Sequence, residues 1–240
     1  NRGRHANMLA LYKQVSVLPK GVELSVGGGN ALAHPDLSSF LVKIKNLGLI
    51  ANLTINHKHI KKYKKLIKGL LYTDLIKGLG ISLTEASEEE LNDIRELKAI
   101  STNIVYHVIC GLTSIAVLDN LLDYDKKAKI LILGYKGFGR GEDFYNEDVE
   151  SEIHRWSMYI PRYIGKCVLS FDNLAIEQMD VKRLFTSDGW DKFYMGDDFN
   201  FSFYMDAIKQ TYAPTSRSSC RSLWTNIKDY FINNRTLLEI

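Results

Sequence analysis

Residues 22–37 read VELSVGGGNALAHPDL. Val22, Leu24 and Val26 alternate with Glu23 and Ser25, the period of a half-buried strand. Gly27, Gly28 and Gly29 then break the run. Leu37, Phe40, Leu41, Ile44 and Leu47 follow at the spacing of one helix face. Pro35 suits the first turn of that helix, Asp36 complements its dipole, and Gly48 stops it. Strand, glycine loop and helix make one βα unit, and the question is whether it recurs.

It does. Apolar runs begin again at Leu49 (LIANLTI), Gly78 (GLGISL), Asn103 (NIVYHVIC) and Lys129 (KILIL), 25 to 29 residues apart counting from Val22. A sixth is Cys167 to Phe171 (CVLSF). Between them lie helical patterns: Ile60, Leu66, Ile67 and Leu70; a capping box Ser87-x-x-Glu90 leading to Leu91, Ile94 and Leu97; Ile115, Leu118, Leu121 and Leu122; and Val149, Ile153, Trp156 and Ile160 before Pro161. Asp172 or Asn173 caps a helix through Met179. Strands alternating with helices predict a parallel sheet. Two topologies fit: a TIM-like barrel of six units, and a doubly wound sheet. From Phe185 the chain turns aromatic, and Lys192–Met195 and Phe199–Tyr204 are expected as hairpin strands around Gly196-Asp-Asp198.

Composition narrows the class. With 240 residues and 45% hydrophobic content the chain builds a sizeable core. A net charge of +3 does not indicate a nucleic-acid partner. Three cysteines at 110, 167 and 220 make neither a disulfide framework nor a zinc ribbon. No apolar run is long enough to span a membrane, and the expected location is cytoplasmic. The first residue is Asn1, followed by no signal-peptide pattern, so the chain is expected to begin inside a longer protein.

In either topology ligands gather at the carboxyl ends of the strands. That selects Gly27 to Asn30, Thr54 to His57, Ser82 to Glu85, His107 to Ser114 and Gly134 to Gly141. Three successive glycines exceed what a tight turn needs and favour close approach of the backbone to a ligand. Lys136-Gly-Phe-Gly-Arg-Gly141 offers backbone N–H groups, Lys136 and Arg140 to an anion, without the Walker spacing. The lysine run from His57 to Lys68 is either a nucleic-acid patch or the solvated face of a helix. His57 and His59 are a poor metal pair at a spacing of two. His107 is either a core histidine or a base, and Asp197-Asp198 is either turn chemistry or a metal or substrate contact.

SVGGGNALAHPDL (25–37) resembles the second strand and following loop of radical S-adenosylmethionine (SAM) enzymes, where Gly-Gly-Glu-Pro precedes a short link, His-Pro-Asp and a helix. LTINH (53–57) is similar to that family's Thr-Asn-Gly strand end. FYMGDDFNFSFYMDAIKQTYAPTSRSS (193–219) resembles the tail of a small phage- and bacterium-associated radical SAM subgroup. The resemblance implies an α/β fold, a partial (β/α)6 TIM-like barrel lacking its first strand. Residues 1–180 would be the core and 181–240 a hairpin and helix extension packed on it. It implies SAM and a [4Fe-4S] cluster as cofactors. Gly27, Gly28, Gly29 and Asn30 would meet the methionine amino group. Asn56 would point into the site, and Ser82 would meet the ribose or carboxylate. Val108, Gly111, Leu133, Gly134 and Tyr135 would line the adenine. Asn30-Ala31 replaces the family's Glu-Pro, which weakens the bond to an ammonium group. The family's C-x3-C-x2-C ligands do not occur in the 240 residues.

Three functions follow. The first is a fragment or degenerate form of a radical SAM enzyme, acting on a small-molecule or peptide substrate and served by a reductant protein in its parent. The second is a non-catalytic barrel binding SAM or a partner. The third is an unrelated α/β barrel binding a phosphorylated small molecule.

Overall fold

The structure is a computed structural model and describes residues 4–198, 200–225 and 227, with the side chain of Arg140 outside that set. After helix α1 (Met8–Val15) the chain alternates strictly. The order is β1 (Glu23–Val26), α2 (Leu37–Asn46), β2 (Ile50–Asn56), α3 (Ile60–Tyr72), β3 (Gly78–Ser82), α4 (Glu88–Lys98), β4 (Ile104–Ile109), α5 (Val117–Tyr124), β5 (Lys129–Leu133), α6 (Asp148–Tyr159), β6 (Val168–Phe171) and α7 (Asn173–Met179). The six strands form one parallel sheet in the order β1-β2-β3-β4-β5-β6. Each strand lies beside its predecessor, so the winding never reverses. That excludes the doubly wound topology, which requires a switch point. Among the described residues β1 and β6 each pair on one side only.

Alternation sorts the two faces of the sheet. Ala51, Leu53 and Ile55 on β2, Leu79 and Ile81 on β3, Ile104, Tyr106 and Val108 on β4, and Ile130 and Ile132 on β5 are all buried. They share one apolar core with Phe40, Leu41 and Ile44 of α2, Ile67 of α3, Ile94 of α4 and Leu121 of α5. Right-handed crossovers between consecutive neighbours put successive helices on the same face. The other face is left to Asn52, Thr54, Asn56, Ser82, His107, Ile109 and Leu133, all partly exposed.

Local chemistry places the helices. The Ser87 Oγ accepts the Glu90 N–H at 3.3 Å and starts α4. The Asp172 carboxylate accepts the Ala175 N–H at 2.8 Å and starts α7. The lysines of α3 face α4: Lys61 meets Glu89 at 2.5 Å, and Lys64 and Lys68 meet Glu96 at 2.7 and 2.6 Å. Of the two readings of the lysine run, this is a charged helix face, now paired with its neighbour.

The extension departs from the expected hairpin. Lys192 lies in helix α8 (Ser187–Phe193), because the Thr186 hydroxyl caps it on Gly189 N–H. Trp190 and Tyr194 stack at 4.4 Å along that helix. The hairpin lies further on, as β7 (Tyr204–Asp206) and β8 (Thr211–Ala213), with β9 (Ser222–Leu223) beside β8. Asp206 accepts from Ile208 and Lys209 N–H and closes the turn. Phe199, one end of the expected second strand, lies outside the described residues. No helix among the described residues is long and apolar enough to cross a membrane.

Candidate functional site

Gly27 leaves β1 at the sheet's carboxyl end, and Gly28 and Gly29 follow with φ of +87° and +56°. Both are exposed, and a side chain at either would enter open space but in a backbone conformation that strains it. Glycine is therefore required here by conformation, not by crowding. Behind the loop, Asn30 has its Oδ1 shielded from solvent with no hydrogen-bond donor. A buried acceptor left unpaired costs free energy that an incoming donor recovers.

The floor beneath this loop is polar and thin. A Cβ on Gly27 would lie 3.5 Å from Thr54 Cβ, so both share one face. A Cβ on Gly80 would lie 2.6 Å from His107 Nε2 and 3.1 Å from Thr54 Oγ1. The imidazole of His107 therefore lies over Gly80 and reaches toward Thr54. Burial pushes its pKa down to about 4, so the ring is neutral at physiological pH. His107 is not part of the helix-side core: it is half-buried on the opposite, polar face of the sheet.

The other expected residues divide by orientation. Asn56 and Ser82 lie side by side at the ends of β2 and β3, and Asn56 Oδ1 accepts the Lys58 N–H at 3.0 Å. Leu133 is on the same face, partly exposed. Val108 is fully buried in the helix-side core, and its neighbours His107 and Ile109 face the polar side. Gly111, φ +90°, is pressed against Ile153 and Val149 of α6. Gly134 is pressed against α7, where a Cβ would meet Ala175 N at 2.7 Å. Its N–H donates to Asp172 at 2.9 Å. Both main-chain groups of Tyr135 are held by the Gln178 carboxamide, at 2.8 and 2.9 Å.

A pair unforeseen in the sequence stands beside the site. His57 Nε2 meets Glu90 Oε1 at 2.9 Å, and His57 Nδ1 lies 3.3 Å from the Ser82 carbonyl. Glu90 also accepts the Glu85 N–H at 3.3 Å. The capping glutamate thus ties α4 to the ends of β2 and β3 rather than reaching back to Ser87. The partners are 33 positions apart, and no local pattern announces them. Asp197 and Asp198 also have structural partners: Tyr194 OH donates to Asp197 at 2.5 Å, and Asn173 donates to Asp198 at 2.8 Å.

No family model and no curated protein matches the chain. Solved structures do. SuiB from Streptococcus suis bound to S-adenosylmethionine superposes with a TM-score of 0.65 at 12% identity, over 93% of this chain and 57% of that one. SuiB bound to its precursor peptide SuiA superposes with a TM-score of 0.67 at 13% identity, over 98% of this chain and 60% of that one. The likeness is one of fold: the chain shares the α/β architecture of SuiB. This chain spans about three fifths of the length of the SuiB chains it matches.

The cluster that the sequence resemblance implies is a separate matter. Among the described residues no group of three or more His, Cys, Asp or Glu side chains gathers around a metal position. Cys110 is buried at the end of β4, and burial pushes its thiol up to about 12. Cys167 is partly buried with its thiol also raised, and Cys220 is exposed in the extension. Iron–sulfur ligation needs converging thiolates; these three cysteines do not converge, and burial holds Cys110 and Cys167 toward the thiol form. They do not fit the cluster.

Proposed function

We propose that this chain is the SAM-binding core of a radical SAM-type enzyme acting on a peptide, a partial (β/α)6 barrel whose interior is the polar face of the sheet. The observation that carries the reading is the shielded, unpaired Asn30 Oδ1 behind the positive-φ glycines, at the strand end of a fold also found with bound SAM. The α-ammonium of the methionyl group is a donor of the right kind for it. Gly27 to Gly29 let the ligand approach the main chain, and Asn56 and Ser82 offer hydrogen bonds to ribose or carboxylate. Leu133 supplies apolar wall to adenine, with Val108, Gly111, Gly134 and Tyr135 forming the supporting layer behind it. Bound SAM would supply a sulfonium with activated carbon–sulfur bonds. The peptide substrate is inferred from the SuiA-bound neighbour.

Calorimetry with SAM tests the reading. Saturable binding is expected. Asn30→Ala should weaken it at least about tenfold, the value of one hydrogen bond to a charged donor. Asn30→Asp should tighten it, because the acceptor then carries the charge opposite to the ammonium. Absence of binding to the folded wild-type chain would remove the proposal.

The cysteine geometry favours a second reading, a SAM-binding barrel without radical chemistry. Anaerobic reconstitution of this chain with iron and sulfide tests it: SAM binding without 5′-deoxyadenosine formation is expected, and 5′-deoxyadenosine formed from SAM would overturn it.

A further inference from the structure

The glycine-rich loop after β5 and the C-terminal extension bring two cations to one residue. Lys136 Nζ donates to Ser216 Oγ at 3.1 Å. Arg221 Nη2 donates to the carbonyl oxygen of the same Ser216 at 3.0 Å. Two cations thus converge on one neutral residue. Arg221 Nη1 is shielded from solvent and has no hydrogen-bond partner; its nearest carboxylate is Asp206 Oδ2 at 3.9 Å. No carboxylate lies within ion-pair distance of Lys136 among the described residues. The neighbouring Arg217 is satisfied on the outer side by Asp198 at 3.1 Å and Glu177 at 3.7 Å.

We infer that Lys136, Ser216 and Arg221 form a binding site for a carboxylate carried by the substrate. The ammonium, the Arg221 Nη1–H, which makes no hydrogen bond, and the Ser216 hydroxyl, which accepts from Lys136 and has its own proton to give, are three donors for two carboxylate oxygens. Lys136 and Arg221 against Asp206 leave one unit of positive charge, which matches a monoanion better than a phosphate dianion. Placement follows from topology: Lys136 is three residues past the end of β5, on the rim where strand-end ligands gather. An acidic side chain of a peptide is the carboxylate such a rim would receive. That the carboxylate belongs to a peptide rests on the proposed function; the site itself is independent of nucleoside binding.

The probe is N-acetylglutamate α-amide, titrated into the isotope-labelled chain and followed by nuclear magnetic resonance of the Lys and Arg side-chain N–H groups. A saturable shift in the millimolar range is expected, absent with the uncharged N-acetylglutamine α-amide and weaker with inorganic phosphate. Lys136→Met should lose at least tenfold in affinity, Ser216→Ala about fivefold, and Lys136→Arg should retain binding. Lys136→Arg also guards against misreading a folding defect in Lys136→Met. Equal response to the glutamine analogue, tighter binding of phosphate, or unchanged affinity in Lys136→Met would overturn the site. SAM affinity of Lys136→Met, measured separately, should equal wild type. A weakened value would assign Lys136 to the nucleoside's own carboxylate and overturn a separate site.

Discussion

His107 shows how one side chain reports its surroundings. The residue lies over Gly80, a position that must lack a side chain for the ring to fit there. Burial holds its pKa at about 4, below the ordinary 6.5. A histidine depressed in the folded state binds its proton more readily when unfolded, so stability falls as pH drops from about 6.5 toward 4 and is unaffected above that window. The expected result is a melting temperature that declines across that interval, with the decline reduced in His107→Asn. A resonance titration of the imidazole with a midpoint near 6.5 would contradict the placement. In the sequence His107 was one of two readings, because a histidine inside NIVYHVIC has the same neighbours on either face. What decides the matter is parity: Ile104, Tyr106 and Val108 form the buried set, so His107 and Ile109 must face the other way. The same parity moves Val108 from the site's lining to its backing.

Among helices and strands, the six units were legible because an apolar run, a glycine or polar break and a helical face recur at nearly constant spacing. The capping box at Ser87 was legible too, but only half of it operates as a box. Glu90 turns to His57, and so α4 is fixed at its start by Ser87 and by a histidine from the end of β2. Removing the cap by Ser87→Ala should cost about 1 kcal/mol in denaturant unfolding. Glu90→Gln should retain most of the structure, since the amide still meets His57 through its oxygen or nitrogen. The extension was not legible. Its aromatics have no clear period, and the helix at Ser187–Phe193 depends on a threonine cap amid residues that equally suit a strand.

For the molecule as a whole, the extension is a brace across the sheet's two ends. Its Tyr212 hydroxyl bonds Gln14 of α1, which packs on α2, while Lys136, Asn173 and Glu177 on the β5–α7 side meet Ser216, Asp198 and Arg217. Met205 packs against both the main core and the small cluster around Tyr212 and Ile227. Met205→Ala should therefore destabilise by about 1–2 kcal/mol and speed amide hydrogen exchange in 204–213 more than in β2–β4. Uniform acceleration across all strands would show that the two clusters open as one unit. The winding order carries a kinetic consequence as well. Every strand of the large sheet meets a partner only one unit earlier in the chain, so loop-closure entropy is modest at each addition. The bond between Gln14 and Tyr212 spans 198 residues. Contacts so distant in sequence are the slowest to form, so folding should finish at the extension, and the rim that joins Lys136 to Ser216 matures last.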